Sequence, residues 1–443
     1  MSNNSKAKVG VGFATGRKNF INVLKSHYKN WKNSGVFDQN ISLNIFIAYD
    51  VSYSDITEED FKRIPKYIYD SVENIFFIGK KEVQEICNDI KKEKSLKLRE
   101  LKEIFGDHGY GKLRNSVLYT AIKNNIDYLL FMDDDEYPIA TVQHTDGTLG
   151  WIEQNILKTH LDHIQECDIT MGYHCGYISP IPYFDIKDSL DKEAFKLFIE
   201  AISNEVLDWE KMKKVLFKNK GITYAEDKIL KKQKPHEIES VNGGKWVLGS
   251  NVCLNLSRMK KIYPFYNPPK ARGEDTFFST CLKKETIYRV PVYSFHDGFL
   301  KHSSIMNGIY PEKLEEVNYS EKVIKDRFLK ACIGWMRYKP LLIRITNKRN
   351  YAKEINSIIE KLEKSIPFLC ETLGTDEFKQ LTKELKYYDK HVAKHHEQFQ
   401  KVNEIWRKIN SKKKIDKSNN GIIEEENLVI MNMESNPISS TTE

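Results

Sequence analysis

Five apolar residues, Tyr128-Leu129-Leu130-Phe131-Met132, run directly into four carboxylates, Asp133-Asp134-Asp135-Glu136, and Tyr137-Pro138 closes the segment. A continuous apolar run of that length belongs to a strand buried on both faces, as at the centre of a parallel sheet. Such a strand needs cover on both sides, which commits the chain to a layered α/β architecture. Pro138 is expected to stop it. The carboxylates then lie at the strand's C-terminal end, where ligands bind in open α/β sheets. Four acids there repel one another unless a cation sits among them. Along extended chain Asp133 and Asp135 point to the same side. Two carboxylates on one side make a hard-oxygen site suited to Mg²⁺ or Mn²⁺. The plainer alternative is a solvated acidic turn after a core strand.

The flanking sequence alternates as such a sheet requires. Residues 8–14 predict a short buried strand, and Phe20, Val23, Leu24, His27 and Trp31 then recur at helical spacing. A second strand covers 43–49 and ends on Asp50; a third covers 75–78 and stops at Gly79. A charged helical stretch (80–104) leads through a loop at His108, Gly109, Tyr110 and Gly111 into a helix marked by Leu113, Val117, Ala121 and Ile122, closed at Asn124 and Asn125. This alternation implies a doubly wound sheet with right-handed crossovers and helices on both faces. Further strands are expected at 168–173, 246–254 and 287–295, with 185–240 as a charged helical insertion. Residues 1–310 thus read as the main domain. Residues 311–411 read as a helical appendage, with Ile355, Ile358, Ile359, Leu362 and Ile366 at helical spacing. Residues 412–443 are polar and expected to be disordered.

The acidic segment resembles the DxD motif of the GT-A glycosyltransferases, particularly the family-2 type, which place it after a hydrophobic strand of a nucleotide-binding sheet. The resemblance implies that Asp133 approaches the ribose and metal and that Asp135 ligates the metal, with Asp134 beside them at the nucleotide. Gly111-Lys112-Leu113-Arg114-Asn115 is similar to the glycine–Arg–Asn stretch that leads into the helix before DxD. Asp50 matches the acidic residue that contacts the base or ribose. Ala14, Thr15 and Arg17 match the nucleotide-cradling loop.

Downstream, Arg272-Gly273-Glu274-Asp275-Thr276-Phe277-Phe278 follows a proline-rich loop, 263–269. Carboxylates at a helix N-terminus suit the macrodipole, so ordinary helix capping is one reading. The other is the resemblance to the family's Glu-Asp motif, which makes Asp275 the general base on the acceptor hydroxyl and Glu274 its positioning partner. Trp246-Val247-Leu248-Gly249-Ser250-Asn251 resembles the acceptor-side Gly-x-Asn segment, implying acceptor contacts from Trp246, Gly249 and Asn251. A core tryptophan is the alternative for Trp246. His296, at the end of the 287–295 strand, is a candidate third metal or diphosphate ligand, or a histidine satisfied in its own turn.

These parts together imply transfer of a sugar from a nucleotide-diphosphate donor to a saccharide, lipid-linked or protein acceptor, metal-dependent and with inversion. The net charge of +7 is too mild to argue for nucleic acid and suits collection of anionic substrates. Seven scattered cysteines without CxxC point to reduced thiols and a cytoplasmic setting. No apolar leader and no run of 18 apolar residues occurs; the stretch Trp335, Met336 and Tyr338 among Arg337, Lys339 and Arg344 is expected to pack on the main domain, the alternative being docking to an anionic membrane surface or to a partner that presents the acceptor. A dinucleotide site is disfavoured, because the glycines at 10, 12 and 16 miss the G-x-G-x-x-G spacing. Two alternatives stay open: a haloacid-dehalogenase-like phosphatase, although Tyr137 stands where Thr or Val is expected, and a non-catalytic nucleotide-sugar-binding protein.

Overall fold

The computed structural model describes residues 6–52, 55–203, 208–232 and 234–411. The tail from 412 onward, and part of the 185–240 segment, lie outside the described residues. Eleven strands are formed among them: β1 (Ala7–Thr15), β2 (Ile41–Tyr49), β3 (Asn74–Ile78), β4 (Tyr128–Met132), β5 (Glu136–Tyr137), β6 (Ile139–Gln143), β7 (Leu149–Glu153), β8 (Ile169–Gly176), β9 (His236–Glu237), β10 (Val252–Asn255) and β11 (Ile287–His296). The main sheet runs in the order β3-β2-β1-β4-β10-β8-β11-β5, with β9 on β11, and β6 and β7 form a separate hairpin.

The chain is an α/β protein, but its sheet is mixed rather than wholly parallel. β1, β2, β3 and β4 are mutually parallel, and β8 and β11 are parallel. β10 runs against both β4 and β8. Its direction follows from where the chain travels. The chain leaves β8 at its carboxyl edge and re-enters at Val252, opposite Phe131 near the end of β4, so it must run back. The strand expected over 246–254 is therefore only four residues long. Asn251 takes a left-handed φ of 49°, which breaks the extended path just before Val252.

Alternation along the strands gives the sheet two apolar faces. Val9, Val11 and Phe13 meet Phe20, Leu24 and Trp31 of the helix Phe20–Asn33, together with Ile156, Leu161 and Ile164 of the helix Ile156–Ile164. Phe46, Ala48, Leu129 and Phe131 face the other way, onto Leu113, Val117 and Ala121 of the helix Tyr110–Lys123. Gly12 permits that close approach, because a Cβ there would lie 2.6 Å from Val117. The same face carries Phe399, Val402 and Trp406 from the helix Val392–Asn410, and the Trp406 indole donates to the Ile262 carbonyl at 2.9 Å.

The helices expected near the C-terminus are Lys322–Thr346, Tyr351–Leu373, Gln380–Lys390 and Val392–Asn410. The first two share a core with the helix Ser189–Ile202: Phe195, Phe198 and Ile199 meet Phe328, Cys332 and Met336, and Ile355, Ile358, Leu362 and Ile366. Met1–Ile409 is one compact unit. Among the described residues, no helix is long and apolar enough to cross a membrane.

Two histidines beneath the sheet, His27 and His160, are almost wholly enclosed. Burial pulls both from 6.5 down to about 4, against the Glu136 carbonyl beside His27 and the Asn251 amide beside His160. Unfolding therefore takes up protons once the pH is below 6.5. Stability should hold above that pH and fall as it drops toward about 4, by on the order of 1 kcal/mol or more per histidine. Urea denaturation across the window checks this, and a flat profile would contradict it.

Candidate functional site

β1 and β4 are adjacent and parallel, with Phe13 level with Met132. From β1 the chain builds outward through β2 and β3 on one side, then returns to place β4 on the other. The gap between their carboxyl ends is thus a topological switch point, where the two loops diverge and leave a crevice. The loop after β1 brings Thr15 and Arg17 to it, and β4 brings the acidic segment.

That segment is a turn, not extended chain. β4 ends at Met132, well before Pro138, and Glu136 and Tyr137 form β5 against the end of β11. Within the turn the two expected same-side aspartates take different partners. Asp133 accepts from Arg114 Nη2 at 2.6 Å. Asp135 Oδ2 accepts from Arg17 Nη2 at 2.7 Å and lies 3.5 Å from His296 Nε2. Asp134 takes Thr15 Oγ1 at 2.7 Å and Arg17 Nε at 3.1 Å. Burial pushes the Asp134 carboxyl up, and Arg17 opposes it. Below them Glu136 is enclosed with His174 at 2.9 Å and accepts from Ser250 and Ser294. Burial, the largest single influence, would raise Glu136, but His174, His296 and the Ser250 hydroxyl together outweigh it and hold the carboxyl down at about 2.

Across the crevice the helix Glu274–Cys281 begins after Gly273, at φ 89°. Asp275 Oδ2 accepts from the Gly249 N–H at 3.2 Å and Oδ1 from the Thr276 N–H at 2.8 Å. Glu274 Oε1 is 4.0 Å from Arg114 Nε, and burial and Asp275 push the Glu274 carboxyl up against the pull of Arg114. Arg114 thus stands between the two acidic motifs, 3% exposed. Its guanidinium lies over the rings of Phe131 and Phe265, with centroids at 5.8 and 5.7 Å. Nε and Nη1 have no hydrogen-bond partner. Asn115 is structural, bonding the Ile104 carbonyl and both backbone groups of Phe265.

His296 Nδ1 faces the Tyr177 carbonyl at 2.7 Å, which puts a proton on Nδ1 and turns Nε2 toward Asp135. An imidazole lone pair facing a carboxylate oxygen calls for a shared proton or cation. Asp135 and His296 are donors that Mn²⁺ or Mg²⁺ accepts. Among the described residues no group of three or more His, Cys, Asp or Glu is assembled around a metal position, so a cation here would draw its other ligands from substrate oxygens and water.

Other expected contacts lie elsewhere. Ala14 is buried in the core and offers only its backbone. Asp50 turns into its own loop, accepting from the Ser52 N–H at 2.8 Å. Trp246 packs on the core and its indole donates to the Val241 carbonyl at 2.9 Å. Asn251 is fully enclosed between His160 at 2.9 Å and the Tyr173 carbonyl at 3.0 Å; a buried amide must satisfy both ends, and this leaves no surface for an acceptor. Gly249 does reach the site, through its N–H on Asp275 and its bare Cα against Arg114. Two participants had no sequence signal. His174 comes from β8 to lie 2.9 Å from Glu136. Arg327, from the helix Lys322–Thr346, lies over the Phe299 ring at 4.7 Å and presses on Gly298 beside His296.

Neither a protein-family model nor a curated protein matches the chain, and the chemistry rests on the geometry above. A Cβ at position 249 would lie 2.3 Å from Arg114 Nη1. Gly249→Ala should therefore displace the guanidinium from Asp133 and destabilise the fold by about 2 kcal/mol. Urea denaturation measures this; unchanged stability would mean that the loop, not the arginine, gives way.

Proposed function

We propose that this chain is a GT-A type glycosyltransferase that moves a sugar from a nucleotide diphosphate to an acceptor hydroxyl. One observation carries the reading: at the switch point between β1 and β4, the acidic turn, two arginines and Glu274 with Asp275 converge on one crevice. Convergence of both charge signs suits a substrate that is anionic at one end and must lose a proton at the other.

The residues divide the work accordingly. Arg17 and Arg114, whose Nη1 has no hydrogen-bond partner, supply cationic donors for phosphate oxygens. Asp135 and His296 would hold a divalent ion, which supplies Lewis-acid stabilisation of the leaving diphosphate. Asp275 is fixed by two backbone N–H groups, which orients its carboxylate to take the acceptor proton. A base distinct from the leaving-group side favours inversion at the transferred carbon. Seven unpaired cysteines, six of them buried, suit a reducing cytoplasm. The phosphatase reading gains no support, because Asp133 is engaged by Arg114 rather than presented as a nucleophile.

A donor-hydrolysis screen over UDP-, GDP-, CMP- and dTDP-sugars with Mn²⁺ tests the proposal directly. Asp135→Asn should keep the fold and lose at least about a hundredfold in turnover; full activity in excess chelator would sink the metal role. Asp275→Asn should abolish transfer while donor affinity, measured by calorimetry, stays within about threefold. Wild-type transfer by that variant would move the base elsewhere, with Glu274 next in line.

A further inference from the structure

Asp275 owes its aim to the residues just before it. The helix Glu274–Cys281 starts after Gly273, whose φ of 89° is left-handed, and Lys270 is left-handed as well, at 58°. Glycine adopts that conformation freely, but a lysine is held there only when its surroundings over-determine it. Two such bends close together turn the chain out of the proline-rich loop and into the helix. They therefore set the direction in which Glu274 and Asp275 leave the backbone.

Local bonds supply part of that constraint. Asn267 Nδ2 donates to the carbonyls of Pro268 and Ala271, each at 3.0 Å, and the Ala271 N–H donates to the Pro268 carbonyl at 3.0 Å. The rest comes from the C-terminal helices. Arg337, on the helix Lys322–Thr346, gives Nη1 to the Lys270 carbonyl at 2.9 Å. Its Nε and Nη2 donate to Glu384 at 2.9 and 2.8 Å, a two-pronged pair that fixes the guanidinium plane and so directs the third bond. Tyr388, on the same helix as Glu384, donates its hydroxyl to the Pro269 carbonyl. A Cβ at position 273 would lie 2.9 Å from the Tyr338 ring, and one at position 334 would lie 2.7 Å from Arg272 Cγ, so the loop and the helix Lys322–Thr346 are in direct contact. Phe277, enclosed one turn into the Glu274–Cys281 helix, meets Tyr338 edge-on with ring centroids 6.2 Å apart.

We propose that Arg337 and Tyr388 are positioning residues for the crevice: they hold the 268–273 loop so that Asp275 faces the acceptor proton, which makes the C-terminal helices part of the catalytic apparatus. The proposal rests on the glycosyltransferase reading. Each residue acts through a backbone carbonyl of the loop and not on the substrate.

Hydrogen exchange on the full chain is one arm of the test and kinetics the other. The Gly249 N–H donates to Asp275 at 3.2 Å, so its exchange rate reports where that carboxylate lies. In Arg337→Ala and in Tyr388→Phe this amide should exchange at least about threefold faster, with melting lowered by no more than about 3 °C. Kinetics use whichever of the UDP-, GDP-, CMP- and dTDP-sugars the wild type hydrolyses with Mn²⁺, with water standing in for the acceptor, since the base takes a proton from either. There kcat should fall at least about tenfold in Arg337→Ala and about threefold in Tyr388→Phe, while donor affinity by calorimetry stays within about twofold. Tyr351→Phe removes a hydroxyl bond of the same kind between two C-terminal helices, to Asp389, and should leave both readouts unchanged. If Arg337→Ala melts too low to assay, Tyr388→Phe, which loses a single oxygen, decides alone. Unchanged exchange, unchanged kcat, loss of donor affinity in step with kcat, or an equal loss in Tyr351→Phe would each overturn the proposal. A wild type that hydrolyses none of these donors would instead end the glycosyltransferase reading, and the proposal with it, whatever the exchange shows.

Discussion

Four carboxylates in succession at the end of a buried strand would repel one another and leave uncompensated charge in the interior. The chain resolves this by bringing each carboxylate a cationic or titratable partner from a different stretch of sequence. Asp133 meets Arg114, Asp134 and Asp135 share Arg17, Asp135 also faces His296, and Glu136 is matched by His174. These partners lie before β4, on β8 and at the end of β11. Strand order, the antiparallel return of β10 and the closure by β5 are what allow them to meet. Buried charge contributes little net stability when paired and costs much when broken, so this cluster acts as a check on whether the sheet has assembled in the right order.

The elements most visible in the sequence were those set by a single period. The helix from Phe20 and the strands β1 to β4 follow from local apolar spacing, and each buries the residues its pattern designates. The hairpin β6–β7 was not legible, because its strands are short and defined by pairing with each other rather than by local periodicity, whereas the helix Ile156–Ile164 does carry a helical apolar stripe, at Ile156, Leu157, Leu161 and Ile164. The direction of β10 was equally hidden. It depends on where a long excursion returns to the sheet, and no local pattern encodes that.

At the site, residue types were easier to read than their aim. Arg17 joins Asp134, Asp135 and His296, and Arg114 joins Asp133 and Glu274, with Asp275 held on Gly249 beside Arg114. Extended-chain geometry does not apply to Asp133 and Asp135, which lie in a turn and take different arginines. Asn251 and Trp246 looked available because sequence alone cannot tell an amide that serves a ligand from one that satisfies a buried histidine. His174 and Arg327 were invisible for the opposite reason, since their importance comes wholly from neighbours distant in the chain.

The core shared by the helix Ser189–Ile202 and the helices Lys322–Thr346 and Tyr351–Leu373 has a consequence for how the protein is made. When Phe195, Phe198 and Ile199 leave the ribosome, Phe184 is already made and Met212 and Leu216 soon follow, but Phe328, Cys332, Met336, Ile355 and Leu362 have not been synthesised. At about 5–20 residues per second, the segment waits on the order of 10 s for its partners. During that interval three aromatic or branched side chains face water or a chaperone. The N-terminal strands can pair early, but this core is completed only when the helices Lys322–Thr346 and Tyr351–Leu373 arrive.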